Sequence, residues 1–168
     1  MPLLEIKNLR TFFKTKRGIV KAVNDVSYSL EPGKTLGIVG ESGSGKSVSA
    51  MSILRLLDEN GYIESGEIYF EGRELTKLSM DELYHIRGNA ISVIFQEPMT
   101  SLNPVFTVGN QLREAIELHT DRKGKEAEAR AVEMLTLVGV NEPEKRVKQY
   151  PYELSGGMRQ RVMIAMAL

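Results

Sequence analysis

The first third of the chain alternates between apolar and polar residues. In "LLEIKNL" (3–9), Leu4, Ile6 and Leu9 lean to one side, with Glu5 and Lys7 on the other. A period of two predicts a half-buried strand. "VSYSL" (26–30) repeats the pattern with Val26, Tyr28 and Leu30, and "KTKRG" (14–18) between them reads as a hairpin tip. "EPGK" (31–34) places Pro and Gly at turn positions. "TLGIVG" (35–40) and "AISVIFQ" (90–96) are short continuous apolar runs, the texture of strands buried on both faces of a parallel sheet. "SVSAMSILRLL" (47–57) predicts a helix, "SGEIYFEGREL" (65–75) a strand ending in a glycine turn, and "ELYHIRG" (82–88) a helical turn.

The pattern changes after residue 96. "EPMTSLNPVFTV" (97–108) is a loop held by Pro98 and Pro104. Thr107 can cap a helix through about Leu118, with Val108, Leu112, Ala115 and Ile116 on one face. A polar link, "HTDRKG" (119–124), leads to a longer helix ending near Val138, closed by Gly139 as its left-handed residue. "NEPEKRVKQYPYE" (141–153) reads as loop or short helix. The expected division is a β-rich core at 1–96, a helical lobe at 97–153, and a closing turn and helix at 154–168.

Composition narrows the function classes. Basic and acidic residues balance at 22 each, which argues against bulk electrostatic binding to nucleic acid. Cys is absent, so there is no disulfide framework, thiolate metal site or cysteine nucleophile. The longest apolar run, "VMIAMAL", is far too short to span a bilayer. Direct membrane insertion is therefore not expected.

The chemistry concentrates in "GESGSGKS", Gly40 to Ser47, which matches G-x-x-x-x-G-K-[ST]. Gly40, Gly43 and Gly45 let the backbone adopt conformations that a β-carbon would hinder. Successive N–H groups, with Glu41, Ser42 and Ser44 between the glycines and Val48 just beyond, can then converge on phosphate oxygens. The following helix turns its positive end to the same anion. Lys46 adds a full charge between β- and γ-phosphates, and the Ser47 hydroxyl can ligate Mg²⁺. The ligand expected is a nucleotide of the ATP type with its magnesium.

Gln96 ends the second apolar run. A glutamine at the carboxyl edge of a sheet can orient water or ligate Mg²⁺, or simply cap backbone groups, and both readings stand. "LSGGM", Leu154 to Met158, opens another helix: Ser155 can cap it, and Gly156 and Gly157 admit a close neighbour. Taken alone this is a capped helix start.

Together, "GESGSGKS", "FQEP" and "LSGGMRQR" resemble the Walker A loop, Q-loop and signature motif of ABC transporter nucleotide-binding subunits, over essentially the whole chain. "FQEPMTSLNPVFTVGNQLREA" resembles the oligopeptide and dipeptide importer branch, whose text is shared by nickel and glutathione importers. The resemblance implies an α/β fold, with a P-loop NTPase core, an N-terminal antiparallel β subdomain and an inserted α-helical subdomain. It implies a head-to-tail dimer with an identical or paralogous subunit, in which Ser155, Gly156 and Gly157 reach the partner's γ-phosphate. Phe13, or the adjacent Phe12, stands where that family stacks an aromatic on adenine. Membrane permease subunits would dock near Gln96–Phe106, where Met99, Val105 and Phe106 could line a groove. The implied location is the cytoplasmic face of a prokaryotic inner membrane.

The family continues past such a helix into segments carrying a metal-supporting Asp, a water-polarising Glu and a phosphate-contacting His. No carboxylate follows Glu153 here, and His85 and His119 stand elsewhere. The expectation is an N-terminal portion of a longer cassette, with little ATPase activity alone. Two rival readings are a soluble ABC-type ATPase without a transport role and a non-catalytic nucleotide-binding module. A small-molecule P-loop kinase leaves the signature turn unexplained.

Overall fold

A long antiparallel hairpin organises the N-terminal region. Strand β1 (Leu4–Thr15) pairs with β2 (Gly18–Leu30), and the tip is tied by the Thr15 hydroxyl donating to Gly18 O at 2.7 Å. Strict alternation would turn Leu9 away from Ile6, yet both are buried. An irregularity between them resolves the conflict: Asn8 takes a positive φ of 47°, and the register shifts there. A bulge of this kind inserts one residue and returns the next side chain to the inner face. β3 (Gly61–Phe70) pairs with the other edge of β1, and β4 (Arg73–Glu74) turns back from it across Glu71 and Gly72. The sheet order is β2-β1-β3-β4.

The structure is a computed structural model that describes residues 1–96 and 101–168. These residues form two units, Met1–Tyr84 and His85–Leu168. The first also contains helix α1 (Lys46–Ile53) and a 3-10 turn at Leu75–Lys77. Helix α2 (Met80–Ile86) carries the chain across the division. The second unit contains α3 (Val108–His119), α4 (Lys125–Leu137), α5 (Pro143–Arg146), a 3-10 turn at Pro151–Glu153, and α6 (Gly156–Ala167).

The core of the second unit gathers Val108 and Leu112 from α3, Ala131, Met134 and Leu135 from α4, and Val162 and Met163 from α6. Its helix ends follow local rules. Thr107 caps α3 by accepting from the Asn110 amide at 3.2 Å. Gly139, at φ 73°, ends α4, with its amide on Thr136 O and the Val140 amide on Leu135 O, both at 2.9 Å, the paired bonds of a Schellman stop.

Two expected strands are corrected. Residues 35–40 form no regular element, and Leu36, Ile38 and Val39 are 42%, 44% and 93% exposed. Residues 92–96 are likewise irregular, with Ile94 and Phe95 about half exposed. Ile91 makes only an isolated bridge to Arg87. The reason is physical: a strand of the parallel, two-sided kind is held by ladder neighbours and covering layers rather than by its own bonds. Among the described residues no strand pairs with 35–40. The helix expected over 47–57 is also shorter. Arg55 takes φ 50°, and its amide bonds Ser52 O while the Leu56 amide bonds Met51 O. This is again a Schellman stop, made by arginine in place of glycine. No helix among the described residues is long and apolar enough to cross a membrane.

Candidate phosphate-binding site

The segment 40–47 is shaped by its glycines. Gly43 and Gly45 are left-handed, at φ 81° and 89°. A β-carbon on Gly45 would lie 2.2 Å from the carbonyl oxygen of Ala22 in β2, so only glycine lets the loop rest there. A β-carbon on Gly40 would lie 2.8 Å from Ser44 Oγ. The Ser44 amide donates back to Glu41 O at 3.2 Å and closes the turn.

Lys46 folds over this loop. Its ammonium donates to the carbonyls of Gly40 and Glu41, each at 2.7 Å, and to Ser44 Oγ at 3.3 Å. The positive charge is therefore held at the loop by weak neutral acceptors, which an anion can replace. Gly45 caps α1 without a side chain, and the first turn contains no acidic residue. The first ladder bond runs from the Ser49 amide to Gly45 O at 2.8 Å. The amides of Lys46, Ser47 and Val48 thus stand ahead of the ladder at the positive end of the helix dipole. Left-handed residues, leading amides and one lysine make a frame for a phosphate group.

Glu41, Ser42 and Ser47 are exposed, while Lys46 and Val48 are half-buried. Of the candidate aromatics, Phe12 is 8% exposed, with its ring edge-on to Tyr62 at 6.4 Å and the Lys21 ammonium 5.7 Å from its centroid. Phe13 is half-buried and lies against Gly61, where a β-carbon would come 2.7 Å from its ring.

The second unit holds the other candidates. Gln96 is exposed. Val105 and Phe106 are exposed at 70% and 51%, whereas Met99 lies outside the described residues. Ser155 caps α6 by accepting from the Met158 amide at 3.3 Å. Leu154 is buried and Met158 packs on the helical core. Arg159 Nε ties the turn from below, donating to Pro151 O at 2.7 Å and Leu154 O at 3.1 Å. Around Gly156 and Gly157, a β-carbon would meet nothing within 4 Å among the described residues.

Sequence reasoning missed what seats α1. Thr11, Ser49 and Ser52 are buried and bonded through their hydroxyls. The available signal was two serines three apart on a helix otherwise rich in apolar residues. It also missed Arg161, whose guanidinium donates to Val138 O and Gly139 O, at 3.0 and 2.6 Å, where α4 ends.

The glycine-bearing loop running into α1 has the form of a P-loop. A family model described as ABC transporter matches residues 23–168. The chain is 53% identical over 167 residues to the oligopeptide transport ATP-binding protein OppD of Bacillus subtilis, covering 99% of this chain and 47% of that protein. It is 54% identical to OppD of Haemophilus influenzae, covering 99% of this chain and 51% of that protein. A solved dimeric ATP-binding cassette in a post-hydrolysis state, bound to ADP and Pi, superimposes with a TM-score of 0.84 at 31% identity. That match covers 98% of this chain and 68% of that one. The chain belongs to the ABC transporter family. It spans about half the length of the curated relatives it matches.

Proposed function

We propose that this chain is the nucleotide-binding portion of an ATP-hydrolysing subunit that energises an importer of peptides. The frame at 40–47 carries the reading: a glycine-shaped loop, leading helix amides, and a lysine held, among the described residues, by neutral acceptors. Gly40, Glu41, Ser42, Gly43, Ser44, Gly45, Lys46, Ser47 and Val48 bind the phosphates of ATP. Phe13, which keeps an exposed part while Phe12 is buried, takes the adenine. The family resemblance assigns Mg²⁺ to the Ser47 hydroxyl and to Gln96, each of which is exposed within its own unit. Bound there, it neutralises charge on the phosphate oxygens. Gln96 orients water or metal. We assign 1–96 to the nucleotide-binding core, 97–153 to the helical subdomain and 154–168 to the signature turn and helix.

The turn Leu154–Met158 serves a nucleotide carried by a second subunit. Its open glycines support this, as does the dimeric state of the ADP-bound cassette that the chain resembles. Peptides are the proposed cargo because the relatives named above are oligopeptide transport ATP-binding proteins. Permease subunits would dock near Gln96–Phe106, at the cytoplasmic face of the inner membrane.

Calorimetric titration tests the reading. ATP with Mg²⁺ should bind, and Lys46→Ala should weaken binding at least tenfold. Equal affinity in the two proteins would remove the assignment. Restoration of peptide uptake in a cell lacking the matching subunit tests the cargo.

A further inference from the structure

The helix behind the phosphate loop is seated by hydroxyls. α1 buries Ser49 and Ser52, at 5% and 0% exposure, where a helix lying on a sheet ordinarily presents hydrocarbon. The Ser52 hydroxyl donates its one proton to Val48 O in its own helix at 2.7 Å. Its oxygen is then left to accept, so Thr11 Oγ1, 2.8 Å away and fully buried, is the donor of that pair. One turn earlier, Ser49 Oγ meets the phenol of Tyr28 at 3.1 Å. Thr11 lies in β1 and Tyr28 in β2. The helix is thus pinned to two neighbouring strands at two positions three residues apart.

Hydrocarbon packing is non-directional and favours no particular roll of a helix as sharply as a hydrogen bond does. A hydrogen bond weakens steeply as its angle closes. Two such bonds, together with Gly45 resting on the Ala22 carbonyl, determine the roll of α1 about its axis. That roll decides where the Ser47 hydroxyl and the amides of Lys46, Ser47 and Val48 point.

We propose that the Thr11–Ser52 and Tyr28–Ser49 pairs are positioning residues for phosphate binding. They set the rotation of α1 so that its leading amides and the Ser47 hydroxyl meet the nucleotide's phosphates. This inference rests on the nucleotide reading of 40–47. None of the four residues touches the ligand; they act through the helix.

The test replaces both partners of the buried pair with apolar groups of similar shape, Thr11→Val with Ser52→Ala. Removing both partners together can be nearly neutral for stability, so the melting temperature should change little. Affinity for ATP with Mg²⁺, measured by calorimetry on the full chain, should fall at least fivefold. The exchanged pair, Thr11→Ser with Ser52→Thr, keeps both hydroxyls and should restore it. Unchanged affinity in the apolar pair, or equal loss in the exchanged pair, overturns the proposal. If the apolar pair does not fold, Tyr28→Phe removes one hydroxyl alone and should still weaken ATP at least twofold. Wild-type affinity in that variant sinks the idea. Failure of the unsubstituted protein to bind ATP would instead remove the nucleotide reading, and this inference with it.

Discussion

The glycine-bearing turns that open α1 and α6 use their glycines for opposite ends. Ahead of α1, Gly45 is left-handed and a β-carbon there would strike Ala22 O at 2.2 Å. At Gly40 the near atom is the movable Ser44 hydroxyl, 2.8 Å from a β-carbon. The chain's own shape demands glycine at 45. At the start of α6, Gly156 and Gly157 lie within an ordinary helix, with nothing within 4 Å of a β-carbon among the described residues. Glycine in a helix is less stable than alanine by roughly 0.5–1 kcal/mol. The two glycines of this turn answer to no close contact among the described residues. The α2 start gives the reference for a helix end. Ser79 and Glu82 close it reciprocally, the carboxylate accepting from the Ser79 amide at 2.9 Å and hydroxyl at 2.8 Å.

The largest effect should come from Gly45→Ala. Strain at a left-handed position plus the contact with Ala22 O should cost about 3 kcal/mol, read by chemical denaturation. ATP binding should be lost with it. Stability within 0.5 kcal/mol of wild type would erase one side of the contrast.

At the other turn the signs should divide. Ser155→Ala removes a cap and should destabilise by about 1 kcal/mol. Gly157→Ala should instead leave stability equal or raise it by about 0.5 kcal/mol. The same Gly157→Ala protein should fail to form an ATP-dependent dimer in analytical ultracentrifugation. A destabilised Gly157→Ala protein would show that the glycine serves its own helix after all.

The smallest effect belongs to the α2 reference. The Ser79 backbone amide, then the Ser79 hydroxyl and the nearby Arg73, hold the Glu82 carboxyl below its ordinary range. A depressed carboxylate contributes stability above its unfolded value and loses that contribution as pH falls through the folded one. Acid titration followed by circular dichroism should therefore show α2 loosening below the ordinary carboxylate range. Glu82→Gln should flatten that slope, and an unchanged slope would remove the capping account.

What was legible in the sequence was mostly local. Thr107, Gly139 and Ser155 each mark a helix boundary by a rule that spans three or four residues, and each does so in the structure. The loop at 40–47 was readable for the same reason. The end of α1 was not, because the stop is made by Arg55, a residue without the glycine signal. The position of Leu9 was only half readable, since a bulge at Asn8 re-aims it.

The sequence alone determined the turns, the caps, the glycine-bearing loop at 40–47 and the family resemblance, because these depend on residues near one another in the chain. It marked 35–40 and 90–96 as apolar without making them strands, since an apolar run records the surroundings a segment needs and cannot supply the neighbours. Long-range packing settled which serines of α1 turn inward, which phenylalanine keeps an open side, and that the carbonyl of Ala22 lies beneath Gly45. Each of those depends on atoms more than twenty residues away, or on a bulge that changes which way a strand faces.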